Sequence, residues 1–119
     1  MAEDMNADKQ IDSATVNALR AFEDKVSVRS DFVGLILFGS RARNTHRADS
    51  DADVVVLLRG ASGKFIATKL VLDELAYDVL LDTGIRIQPL PVWESEWNQP
   101  ENYSNPWLLK NIANEGICL

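Results

Sequence analysis

Apolar positions along this chain change their spacing several times, and each change marks an element. From Ile11 the residues Val16, Leu19, Phe22 and Val26 recur at helical spacing, which predicts an amphipathic helix to about Val28. Asp31 then leads into VGLILF, a short continuous apolar run closed by Gly39. A run of that length bounded by glycine predicts a strand buried on both faces. Ser40 to about Asn44 has room for one helical turn, and the polar residues through Ser50 predict a loop. DADVVVLL follows, β-branched and ended by Arg59-Gly60, and predicts a second buried strand.

Further along, Ser62 is a candidate cap for a long helix lined by Phe65, Ile66, Leu70, Leu72, Leu75, Ala76, Val79 and Leu80, which Gly84 would close. IRIQPLPV predicts a third strand, in which Pro89 and Pro91 cannot donate to a ladder and so demand an edge or a bulge. Asn105-Pro106 has the form of a helix start and Gly116 of its stop. The predicted order is helix, strand, strand, helix, strand, helix, an α/β (α+β) pattern in a single domain over residues 10–119. Met1 to about Lys9 is polar and without periodicity, the pattern of a flexible leader.

Composition narrows the function classes. At 119 residues and 46% hydrophobic content there is material for one core, with self-association or a partner chain as a way to add stability. The net charge of -6 works against a general binder of nucleic acid. The single cysteine, Cys118, permits no intrachain disulfide and fits a reducing compartment. The acidic start MAEDMNADKQ lacks the basic and apolar regions of a signal peptide, and no apolar run approaches the roughly 18 residues of a membrane span, so the expectation is a cytoplasmic protein.

The candidate chemistry lies in FGSRARNTHRADSDADVVVLL. On a strand, side chains two residues apart share a face, so Asp51 and Asp53 would stand about 6.6 Å apart at Cα and converge on one point. Two such carboxylates suit Mg²⁺, which takes oxygen ligands from one or two carboxylates and completes its shell with water and phosphate. Gly39-Ser40 supplies a complementary part: glycine lets backbone approach a phosphate, and the hydroxyl and N–H groups opening a helical turn donate to it. Arg41 and Arg43 are candidates to neutralise a triphosphate tail. Either motif alone most often marks a turn. Together, on neighbouring strands with ten residues between Ser40 and Asp51, they form a coherent phosphate-and-metal site. Two rival motifs fail on counting. Asp49, Asp51 and Asp53 imitate a calcium loop, but Val54 and Gly60 stand where its glycine and glutamate belong. Gly63-Lys64 hints at a Walker A loop, but Leu58 and Phe65 break it.

FGSRAR followed by SDADVVVLL resembles the signature of the minimal nucleotidyltransferases (MNT), small members of the DNA polymerase β-like nucleotidyltransferase superfamily. The resemblance covers roughly residues 10–92. It implies a short mixed sheet flanked by helices, with ATP and Mg²⁺ bound and a nucleoside monophosphate transferred to a hydroxyl. It also implies a partner, because such proteins are commonly antitoxins paired with a helical HEPN toxin, some of them adding AMP to a toxin tyrosine. Position by position, Gly39 and Ser40 would hold phosphates, and Asp51 and Asp53 would hold the metal and carry catalysis.

The chain departs from that pattern at one place. The resemblance calls for a third carboxylate on the next strand, and aligning Gly84-Ile85-Arg86-Ile87 with the approach to it puts Gln88 at the position. Glutamine brings no charge and no base, and removes an attraction of about 4 kcal/mol per charge pair at about 4 Å in an effective dielectric of about 20, before solvation. Asp82, Glu94 and Glu96 are candidate substitutes, or solvated charges. Degeneration to a binding-only antitoxin is therefore the alternative, with a small-molecule nucleotidyltransferase behind it. Asn44 stands where glycine is common but tolerates a left-handed turn. His46 and Arg47 are candidate nucleotide contacts or solvated loop residues. Trp93, Trp97 and Trp107 belong either to a partner surface or to packing of the last helix.

Overall fold

A computed structural model describes residues 11–119, and the predicted leader lies outside them. The first helix, α1 (Ser13–Val26), buries Ala18, Leu19, Phe22 and Val26, the stripe its sequence spacing requires. It stops two residues short of the prediction, because Ser27 donates its N–H to Glu23 and Arg29 donates to Val26, which turns the chain. Strands β1 (Phe32–Phe38) and β2 (Ala52–Leu58) pair antiparallel, with Leu37 opposite Val54 and Phe38 opposite Asp53. Between them lies one helical turn, α2 (Ser40–Arg43). Helix α3 (Phe65–Thr83) crosses over to β3 (Ile87–Trp93), which pairs parallel with β2.

The sheet order is β3-β2-β1 and then a short strand, β4 (Ile117–Cys118), so β3 is an edge as its prolines require. Pro89 and Pro91 have the same parity, so both missing donors fall on one side, and the open edge is the side that tolerates them. Both faces of the central strands are covered. Leu35, Leu37, Val54 and Val56 pack beneath α1 and α3. Ile36, Val55 and Val92 pack beneath α5 (Pro106–Glu115), through Leu109 and Ile112. This two-sided burial explains why both strands read as continuous apolar runs rather than alternating ones.

Two expectations are corrected. Ser62 does not cap α3: the helix starts after Lys64, with no side-chain cap. Gly63 lies so close to the Trp93 ring that a Cβ would stand 2.9 Å from Cζ2, and this contact sets the approach to the helix. The predicted lining of α3 is only partly right, since Leu72, Ala76 and Val79 are buried but Ile66 and Leu70 are exposed. A short helix, α4 (Glu94–Asn98), and a 3-10 turn (Pro100–Asn102) follow β3, and the C-terminal Ile117-Cys118 joins the sheet beside β1. The tryptophans divide between roles: Trp93 is buried in the core, Trp97 packs under α5, and Trp107 is exposed. No helix among the described residues is long and apolar enough to cross a membrane.

Candidate active site

The site forms where β1 ends and β2 begins. Side chains of one parity on β2 and β3, those of Asp53, Val55, Gln88 and Val92, face the α5 side of the sheet, where Asp53 is half-buried and Gln88 exposed. Gly39 ends β1 with φ +75° and ψ -158°, a conformation open in practice to glycine alone. Space imposes the same choice, because a Cβ on Gly39 would collide with the Asp53 carboxylate. The phosphate-type turn and the carboxylate pair are thus in contact across the β1–β2 ladder.

α2 follows at once. Ala42 and Arg43 both donate their N–H groups to Gly39 O at 3.1 Å, whereas those of Ser40 and Arg41 have no acceptor within so short a turn. Asn44, at φ 60°, closes the turn in the left-handed region. The Gly-Ser turn, with its unpaired backbone donors, therefore lies beside Asp53.

Asp51 stands one residue before β2 and accepts a hydrogen bond from Gln88 Nε2 at 3.2 Å. Gln88 in turn is the residue paired with Asp53 in the parallel register. Asp51, Asp53 and Gln88 are therefore one group. Partial burial pushes the Asp53 carboxyl above its ordinary range, the neighbouring Asp51 charge adds to this, and Arg43 opposes it. Two carboxylates so placed are hard oxygen donors of the kind that a divalent cation takes. Among the described residues no cluster of three or more His, Cys, Asp or Glu could hold a metal. Asp51 and Asp53 are the residues here that could hold one hard cation, and the Gln88 carbonyl could serve as a neutral third donor.

The other sequence candidates separate. Arg43 is exposed at the rim, where it pairs with Glu115 of α5 at 2.9 Å. It also lines a cleft beside Gly39 that Phe38, Leu108, Asn111 and Ile112 complete. Arg41 is not brought to the phosphate side. It is 2% exposed, and its guanidinium donates to Ser50 O at 2.8 and 3.1 Å, to Ala48 O at 3.2 Å and to Thr15 Oγ1 at 2.8 Å. Its guanidinium is held by Thr15 of α1 and by the loop that leads into Asp51, so Arg41 is a positioning residue. His46 belongs to the same support, with Nε2 3.3 Å from an Asp12 carboxylate oxygen and little exposure. It neither faces the site nor lies free in solvent. Arg47 is exposed, and its backbone N–H donates to Ser50 Oγ at 2.9 Å.

Glu94 and Glu96 lie past the far end of β3 from Gln88, where Gly60 N–H and Trp93 N–H donate to them at 3.0 Å. They cannot replace the missing carboxylate. Asp82 is exposed on α3. Thr15 and Ser50, which sequence reasoning passed over, anchor the loop from outside the motif. No periodicity or spacing marks them, because their role depends on a side chain 26 residues distant from Thr15.

A mixed sheet with a Gly-Ser turn facing an Asp-x-Asp pair defines the class of small nucleotidyltransferase folds. The family described as nucleotidyltransferase domain matches residues 18–113, and the chain belongs to that family. It is similar in structure to a candidate nucleotidyltransferase from Sulfolobus solfataricus, with a TM-score of 0.51, 17% identity, and 90% of this chain and 86% of that chain covered. That likeness supports the fold. No curated protein matches the sequence.

Proposed function

We propose that this protein is an Mg²⁺-dependent nucleotidyltransferase that moves a nucleoside monophosphate, AMP from ATP, onto a hydroxyl of a partner protein, as the antitoxin of a HEPN/MNT pair. The observation that carries the chemistry is the contact between the Gly39 turn and Asp53, which sets phosphate donors against metal-type carboxylates. Magnesium, when bound, would neutralise phosphate charge and polarise the reacting phosphoryl group. Ser40 and the N–H groups of its turn would hold phosphate oxygens, Arg43 would approach them from the rim, and Asp51 and Asp53 would hold the ion. In the transfer, the acceptor oxygen bonds to the α-phosphorus, the bond to the β-phosphate oxygen breaks, and pyrophosphate leaves. Gln88 cannot take the hydroxyl proton, which would leave to water or to a group on the partner.

Gln88 also favours a second reading, that of a degenerate fold that neutralises its toxin by binding alone. Its amide donates to Asp51 and so engages one of the two carboxylates without adding charge. Titration with ATP by calorimetry, in Mg²⁺ and then in EDTA, separates the two. Magnesium-dependent binding by the wild type, lost in Asp51→Asn with Asp53→Asn, supports transfer and justifies a search for the acceptor with labelled ATP. Binding that appears only in Gln88→Asp supports the degenerate antitoxin.

A further inference from the structure

Helix α3 carries a second surface. Ile66, Leu70, Tyr77 and Leu81 are 70%, 60%, 58% and 67% exposed, although each is large and apolar. At about 100° per residue they fall within an arc of about 60°, and at 1.5 Å per residue they span about 22 Å. A helix apolar around most of its girth is one that expects cover on its outer face as well as its inner one. Asp73 and Glu74 interrupt the stripe at its midpoint and border the arc on either side by about 20°. Asp73 is tied to Lys69 at 2.6 Å, and Glu74, Asp78 and Asp82 have no ion-pair partner among the described residues. The stripe is therefore an apolar band with an acidic centre.

That charge pattern selects the occupant. A second copy would lie antiparallel across a twofold axis, and the stripe's midpoint falls between Asp73 and Glu74. Self-pairing would bring four carboxylates together at the axis, and sliding the copies apart to avoid this would shorten the apolar overlap. We propose that the outer face of α3 docks a different protein, through an apolar helix that carries arginine or lysine midway along its stripe. Tyr77 and Asp73 also line a groove that runs to Gln88 at the edge of the sheet, so a partner seated there lies next to the nucleotide site. Docking does not depend on nucleotide chemistry, and it stands if the proposed transfer fails.

Two fluorescent helical peptides of about 18 residues, long enough to span the stripe, test it. Both carry a leucine stripe, one with arginines at its centre and one with glutamates, and anisotropy is read at low and high salt. The protein alone is expected to sediment as a monomer and to bind the arginine peptide about tenfold more tightly than the glutamate peptide. Leu70→Ser with Tyr77→Ser should abolish binding, Asp73→Asn with Glu74→Gln should remove the preference, and Asp51→Asn with Asp53→Asn should leave both unchanged. A wild-type dimer that Leu70→Ser with Tyr77→Ser dissociates would overturn the proposal in favour of a second copy. Equal binding of the two peptides, or of neither, would overturn it outright.

Discussion

Replacing Gly39 by alanine tests the central contact of the site, because two separate costs meet there. The backbone conformation, φ +75° and ψ -158°, is one that a residue with a Cβ adopts at about 1–3 kcal/mol. The new methyl would also overlap the Asp53 carboxylate, which must leave its rotamer at about 0.5–1.5 kcal/mol. The expected loss is about 2–4 kcal/mol, a large part of the roughly 5–15 kcal/mol typical of a domain but not enough to unfold it in water. Urea unfolding followed by circular dichroism should show the midpoint falling by about 1–2 M at an ordinary m-value. The cycle with Asp53→Ala separates the two terms: once the carboxylate is gone, Gly39→Ala should cost less by about 0.5–1.5 kcal/mol. Gly34→Ala is the control, since its Cβ would meet nothing within 4 Å. A Gly39→Ala cost below about 0.5 kcal/mol, inside the range of ordinary surface substitutions, would refute the geometry. So would a cost that Asp53→Ala leaves unchanged, because the turn and the carboxylate would then not be in contact.

Two further outcomes follow from the charges. Asp53 holds its proton more tightly in the folded chain than in the unfolded one, whose value is near 3.8, so stability should fall as pH rises from there through the raised folded value. Asp53→Asn should flatten that part of the pH profile and raise the thermal midpoint at neutral pH in EDTA; an unchanged profile would mean that burial and Asp51 do not act on this group. Arg41→Leu leaves the carbonyls of Ala48 and Ser50 and the Thr15 hydroxyl without their donor, and should cost about 2–5 kcal/mol by chemical denaturation. If Arg41 instead served phosphate, the same substitution would weaken ATP binding and leave stability nearly unchanged.

Much of this arrangement was legible in the chain because local rules and tertiary rules agree there. VGLILF and DADVVVLL are apolar throughout because helices cover both faces of the sheet, and Pro89 and Pro91 assign β3 to an edge before any pairing is known. Gly39-Ser40 and Asp51-x-Asp53 stand out in the sequence, and the pairing of β1 with β2 brings Gly39 against Asp53. What sequence could not separate was Arg41 from Arg43. They lie two residues apart on one turn, and at 100° per residue their side chains leave in nearly opposite directions, one into the loop and one to the rim. The strand at Ile117-Cys118 was hidden for a different reason: two residues carry no period, and only the free edge of β1 makes them a strand.

Gln88 brings the electrostatics of the site into one frame. Asp51 and Asp53 repel one another, and Asp53 already meets that repulsion, together with burial, by binding its proton more tightly. A third carboxylate beside them would deepen the conflict in the free protein and be repaid only when a cation arrives. Glutamine adds nothing to that conflict: its amide donates to Asp51 at 3.2 Å, and its carbonyl is a neutral acceptor. The same change that quiets the free site also weakens its hold on a metal, because the attraction scales with the charge that the ligands present. Free-state stability and cation affinity therefore move in opposite directions at this one position. A chain whose task is to hold a partner gains from the first and has little use for the second. A chain that must transfer a nucleotide would have to recover the missing charge from the triphosphate itself, with Asp51 and Asp53 as the residues that would hold the ion. Metal and nucleotide should then bind only together, and magnesium alone should leave the protein's thermal midpoint where it was.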